Sequence, residues 1–197
     1  MSNAKKRRQP KKASHKAAPS PWPRRLAMTA GGGVAVLAVA VIALSQPPPR
    51  GVPDGTETVA VGAPEHVEGD IHDEGEIPAG GAHSAVWQNC GFYDAPILSE
   101  NAVHSLEHGA LWIAYDPNLE AIEIDRLRSL LQPGEKVLIS PVPNQPAPVI
   151  ATAWANQLEL STSDDGRLEQ FVNEFERSPE APEPGGSCVG GMGNPIG

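Results

Sequence analysis

The first quarter of this 197-residue chain lacks acidic residues, because no Asp or Glu precedes Asp54. Its first 25 residues instead hold nine Lys and Arg. From Ser45 onward, six Lys and Arg stand against 24 Asp and Glu, a formal net charge of −18. A split of this size indicates a membrane or nucleic-acid interaction at one end, or a charged tail.

The chain also lacks charge of either sign over the 19 residues from Leu26 to Leu44. As a helix, such an apolar stretch rises about 28 Å, close to the hydrocarbon thickness of about 30 Å. We therefore predict a transmembrane helix at residues 26–45, in contact with membrane lipid. A cleaved signal peptide is the alternative, but the long basic region and the long apolar stretch favour an uncleaved anchor.

The basic tail, residues 1–25, sets the expected orientation. Under the positive-inside rule it stays in the cytoplasm, so the chain is a single-pass protein of the cell membrane with its C-terminal part outside. A basic segment that binds nucleic acid usually carries interleaved aromatic residues, and only Trp22 is present here. We therefore expect no nucleic-acid partner.

Gly and Pro are abundant, with 20 Gly and 21 Pro, and this number of helix breakers argues against a helical bundle or a coiled coil. No internal repeat is visible. Residues 46–64 are predicted to be a Pro/Gly-rich linker. Residues 65–177 have the size of one extracytoplasmic globular domain. Residues 178–197 are predicted to be a Gly/Pro-rich tail without regular structure.

Within this domain, apolar periodicity and capping signals predict helices and strands. Helices are predicted at 116–134, with Asp116 as cap, at 163–179, and from a Ser99 cap to Gly109. Strands are predicted at 110–115, 136–140, 148–154 and 157–160, while residues 66–93 read as loop. The expected fold is a small α/β or α+β sheet with two or more helices. Trp87, Trp112 and Trp154 are expected in its core.

Histidines are concentrated outside the predicted membrane segment, at His66, His72, His83, His104 and His108. The sharpest pattern is HSLEH, in which two His at i and i+4 share one helix face and can reach one metal ion. Glu107 could orient a ring, bind the ion or act as a base. We predict a zinc or copper site formed by His83, His104, Glu107 and His108.

A metal-binding domain outside the membrane would serve metal handling, with an exported metalloprotein as a possible partner. Two alternatives stay open. The His–Glu cluster can instead stabilise a structural or partner-binding module without metal. HSLEH also fits the H-x-x-E-H form of inverted zinc peptidases. Those enzymes need a longer helix and a distant carboxylate ligand, whereas Gly109 and a strand follow here, so catalysis is the less favoured reading.

Only two cysteines are present, Cys90 and Cys188. In an oxidising compartment the default is a disulfide, which would pin the tail to the domain. The alternative is a copper(I) site of Cys188 and Met192, whose sulfur atoms are soft ligands. If the disulfide forms, the metal site contains only nitrogen and oxygen ligands, which suits zinc or copper(II).

The sequence resembles the domain of unknown function 3105 family over residues 65–175. The resemblance is carried by His66-Val67, PAGGAH (78–83), Trp87, residues 91–93 and above all VHSLEHGALWIAY (103–115). The family is uncharacterised and often follows an N-terminal membrane segment. The resemblance implies His83, His104, Glu107 and His108 as motif residues. His72 lies outside the motif and is expected to be a surface residue.

Overall fold

The computed structural model of the protein describes residues 51–196. The predicted cytoplasmic tail (1–25) and transmembrane helix (26–45) lie outside the described residues. Among residues 51–196, no helix combines the length and the apolar character needed to cross a membrane.

The described residues form a six-stranded mixed sheet with three helices, which confirms the α+β prediction. Its strands are β1 (Glu57–Thr58), β2 (Gly91–Phe92), β3 (Leu111–Tyr115), β4 (Val137–Pro141), β5 (Val149–Ala153) and β6 (Asn156–Leu160). The helices are α1 (Ser99–Glu107), α2 (Ala121–Ser129) and α3 (Gly166–Phe175). The strand order is β1-β6-β5-β3-β4-β2. Strand β4 pairs in parallel with β2 and β3, and the other pairs are antiparallel.

Two hydrophobic cores cover the two faces of the sheet. Because alternate strand residues face opposite sides, Leu111 and Ile113 of β3 point to one core and Trp112 to the other. The first core contains apolar residues of α2 and α3, and the second contains apolar residues of α1. Helix α1 therefore lies on the opposite face of the sheet from α2 and α3.

Helix α3 confirms the prediction of a helix in this part of the chain. Its apolar stripe of Leu168, Phe171, Val172 and Phe175 is buried. The side chain of Asp165 caps it by accepting a hydrogen bond from the backbone N–H of Arg167 at 3.0 Å.

The predicted starts of the other two helices are wrong. Asp116 does not cap α2, because its carboxylate accepts the N–H of Asn118 at 2.8 Å in a turn that delays the helix to Ala121. Ser99 is the first residue of α1 and not its cap. Its hydroxyl donates instead to the carbonyl oxygen of Glu76 at 2.8 Å.

Short edge strands lie in segments for which no strand was predicted. Glu57–Thr58, in the predicted linker, pairs with β6, and Gly91–Phe92, in the predicted loop, pairs with β4. Strands of two residues carry too little periodicity to be recognised in a sequence. The sheet therefore begins before the predicted domain boundary at residue 65.

The predicted disulfide is confirmed, and it joins Cys90 to Cys188 across 98 residues with a Cα–Cα distance of 5.3 Å. It holds a C-terminal segment, residues 178–196, that contains no helix or strand. Closing a loop of this length contributes about 4–5 kcal/mol in the chain-entropy treatment. Because Cys188 is bonded, it cannot form the alternative copper(I) site with Met192.

Replacing Phe171 by Ala should destabilise the protein by about 3–5 kcal/mol, because the fully buried ring leaves a cavity between α3 and the sheet. Urea unfolding of the two proteins measures the difference. The matched control is Ile122→Ala in α2, whose side chain is 66% exposed and should cost less than about 0.5 kcal/mol. Equal costs for the two substitutions would contradict the assigned core.

Candidate metal centre

Helix α1 and the residue that directly follows it, His108, supply three of the predicted site residues, and the helix is buried on nearly all sides. One side packs on the sheet through Ala102, Val103 and Leu106. His104, Glu107 and His108 follow the i, i+3, i+4 spacing and are also buried, beneath loops and the C-terminal segment. A polar helix face that is buried in this way needs partners for its polar atoms.

A glycine turn brings His83 to this helix face. Gly81 has a positive φ of 98°, and a Cβ on Gly80 would lie 3.1 Å from the Trp154 ring. Only glycine fits such a close approach without strain. The chain after the turn pairs with the segment around His66: the Val67 N–H donates to the His83 carbonyl at 2.8 Å. This bridge places the two imidazoles side by side.

Four residues bring their ligand atoms together at this point: His66, His83, His104 and Glu107. These atoms all lie within 4.8 Å of one another. His83 is completely buried, whereas the side chain of His66 is 53% exposed. The cluster is therefore shielded from solvent at His83 and open to solvent at His66.

Backbone carbonyls fix the orientation of three imidazoles. The Nδ1 of His83 lies 2.8 Å from the carbonyl oxygen of Gly81, and that of His104 lies 2.7 Å from Ser84 O. The Nδ1 of His108 lies 2.7 Å from Ser187 O. Because a carbonyl oxygen can only accept, each Nδ1 must carry the proton. In the neutral rings, each Nε2 therefore presents a lone pair, as a metal ligand does.

Two pairs of acceptor atoms then face each other, one inside the cluster and one between the cluster and the adjacent His108. The Nε2 atoms of His104 and His108 are 3.1 Å apart. The Nε2 of His83 is 3.0 Å from Oε2 of Glu107 but makes no hydrogen bond among the described residues. Two lone pairs at such distances repel unless a proton or a metal ion lies between them. Positive charge between the atoms of each pair would therefore stabilise this geometry.

On His104, a proton is a poor source of this positive charge, because burial disfavours the charged form of the ring. The pKa of His104 is lowered, first by burial and then by the neighbouring His108 and His83, against the raising effect of the Ser84 carbonyl and Glu107. At neutral pH this ring is therefore in the uncharged form that binds metals.

Trp87 and Glu183 flank the cluster on the side of His108. The Trp87 ring is half-buried, with its centroid 5.3 Å from that of His108 and 5.8 Å from that of His104. It therefore lines the site, whereas Trp112 and Trp154 lie in the core as expected. The exposed carboxylate of Glu183 lies 3.7 Å from Nε2 of His108.

The structure brings three of the four predicted ligands together and adds His66 to them. His83, His104 and Glu107 belong to the four-residue group, and His108 lies beside it in contact with His104. Sequence reasoning missed His66, whose position depends on the bridge to His83. Its sequence signals are its place among the five concentrated histidines and its position at the start of the family resemblance. His72 lies outside the group, with its Nδ1 3.6 Å from the Glu76 carboxylate. Its side chain is only 13% exposed, so the expected surface position is wrong.

The fold and site define a small mixed α+β domain with a buried His–Glu cluster. The model of the family described as Protein of unknown function (DUF3105) matches residues 66–190. The chain therefore belongs to this family, which confirms the resemblance noted in its sequence. No curated protein and no solved structure matches the chain.

The lowered pKa of His104 predicts that the metal-free protein loses stability when the pH falls below about 6.5, the ordinary value for His. Below that value the unfolded chain takes up a proton that the folded chain resists, so the free energy of unfolding decreases. Urea midpoints at pH 7.5 and 5.5 measure the loss. It should shrink in His104→Gln and persist in His72→Gln; equal losses in both variants would contradict the assignment.

Proposed function

We propose that this protein is a membrane-anchored extracytoplasmic protein whose domain binds one divalent zinc or copper ion. The observation that carries the proposal is the pair of close acceptor contacts, His104–His108 at 3.1 Å and His83–Glu107 at 3.0 Å. Bonds of about 2.0–2.1 Å to one ion place neighbouring ligand atoms roughly 2.9–3.4 Å apart. Both contacts have the spacing of ligands that share an ion.

The chemistry of the donor atoms supports zinc or copper(II). Imidazole nitrogens and a carboxylate oxygen suit both ions, and copper(I) would prefer sulfur ligands. The sulfur atoms of Cys90 and Cys188 are bonded to each other. Fixed tautomers on three rings also lower the cost of organising the ligands, because the rings need no reorientation when the ion binds.

Location outside the membrane is supported by two features of the chain. The basic residues before the apolar stretch 26–45 favour an N-terminus in the cytoplasm. A disulfide is the form that two cysteines take in an oxidising compartment. In that setting the half-exposed His66 gives an ion access to the cluster, and an exported metalloprotein is the partner that we propose for metal handling.

Metal analysis of the full-length protein tests the proposal. After dialysis against zinc or copper(II), the wild type should retain about one ion per chain. The double variant His83→Gln plus His104→Gln should retain almost none, because it loses two buried nitrogen ligands. Elemental analysis with quantified protein gives the ratio.

The matched control is His72→Gln, which removes a half-buried histidine outside the cluster. It should retain as much metal as the wild type, and circular dichroism should show that all three proteins are folded. Negligible metal in the folded wild type would overturn the proposal and favour a structural role for the cluster.

A further inference from the structure

The C-terminal segment crosses the end of α1 and touches the cluster through its backbone. We call residues 183–188 the strap. The N–H of Glu183 donates to the carbonyl oxygen of Glu107 at 2.9 Å, and Ser187 O accepts from Nδ1 of His108 at 2.7 Å. A Cβ on Gly186 would overlap the His108 ring, so the strap lies directly against this imidazole.

Lys136 holds the strap at this place from below. Its buried ammonium group donates to three carbonyl oxygens: His108 O at 2.7 Å, Gly186 O at 2.7 Å and Pro184 O at 3.1 Å. One of these acceptors belongs to the end of α1 and two belong to the strap. Burial lowers the pKa of Lys136, and nearby Arg177 adds to the decrease. The three hydrogen bonds offset the burial of this charged group and join the end of α1 to the strap.

The disulfide fixes the other end of the strap. Cys188 directly follows Ser187, the residue whose carbonyl orients His108. The Cys90 N–H also donates to the Cys188 carbonyl oxygen at 2.9 Å. Because the strap contains no helix or strand, its position depends on these side-chain and backbone links.

His108 is the site residue whose orientation depends most on the strap. The carbonyls that orient His83 and His104 belong to residues 81 and 84, next to the glycine turn. The carbonyl that orients His108 comes from the strap alone. Without the strap, the His108 ring could rotate or adopt the other tautomer, which carries a proton on the nitrogen that faces His104.

We propose that Lys136 and the Cys90–Cys188 disulfide are positioning elements that hold His108 as a ligand of the bound ion. The proposal rests on the proposed metal-binding function. The affinity of the site for its ion therefore depends on the disulfide, although neither sulfur atom binds the ion.

A thermodynamic cycle on the full-length protein tests this proposal. Its variants are Cys90→Ser plus Cys188→Ser, His108→Gln, and the combination of all three. Zinc affinity is measured by competition with a chromophoric chelator. The cysteine variant and His108→Gln should each bind zinc about 10–100-fold more weakly than the wild type. The combined variant should bind zinc as tightly as whichever of these two variants binds it less tightly, because both changes remove the same ligand.

Copper(II) electron paramagnetic resonance supplies a readout that general destabilisation would not change. The cysteine variant and His108→Gln should show the same altered spectrum, with one coupled nitrogen fewer than the wild type. Wild-type affinity and an unchanged spectrum in the folded cysteine variant would overturn the proposal. Losses that add in the combined variant would also overturn it.

Lys136→Met tests the positioning of His108 with the disulfide intact. It replaces the cysteine variant in the experiment if that variant does not fold. It should lower the zinc affinity and change the copper spectrum in the same way as His108→Gln. A folded Lys136→Met protein with the wild-type affinity and spectrum would overturn the proposal. Failure of the wild type itself to bind metal would instead contradict the proposed function, so the two failures are distinguishable.

Discussion

The three backbone carbonyls that accept from histidine Nδ1 atoms are the constraint on which the rest of the site depends. They turn the Nε2 lone pairs of His83, His104 and His108 inward. Two acceptor contacts near 3 Å follow directly, at His104–His108 and His83–Glu107. In a buried place such contacts are repulsive without a cation. The cluster is therefore stabilised by positive charge between these acceptor atoms, and a metal ion can supply that charge.

Several features of the fold serve this arrangement, although they are distant in sequence. The glycine turn before His83 brings the loop against α1, and the bridge at His66 closes the other side. The strap and the disulfide cover the end of the helix. The sheet is a separate support, because its second core packs α1 through apolar residues that take no part in the cluster. The apolar contacts of α1 with the sheet thus support the site without taking part in it.

Local patterns made part of this structure predictable from the sequence. The continuous apolar run of β3 and the apolar stripe of α3 identify both elements, and HSLEH identifies the helix face of the site. The helix start predicted at Asp116 was wrong because its carboxylate can accept a backbone N–H in a turn as readily as at a helix N-terminus. His66 and the strap depend on pairings between remote segments, and single-sequence periodicity carries no information about those. Membership of the family extends the match to His66 but assigns it no role.

The protonation state of the imidazole nitrogens decides whether these rings turn Nε2 lone pairs toward an ion. Long-range ¹H–¹⁵N correlation spectra of the metal-free, ¹⁵N-histidine-labelled protein at neutral pH distinguish the two neutral tautomers of each ring. We expect the proton to lie on Nδ1 of His83 and His104, and the Nε2 resonances of both rings to shift when zinc is added. A proton on Nε2 of these rings, or Nε2 resonances unchanged by zinc, would contradict this expectation.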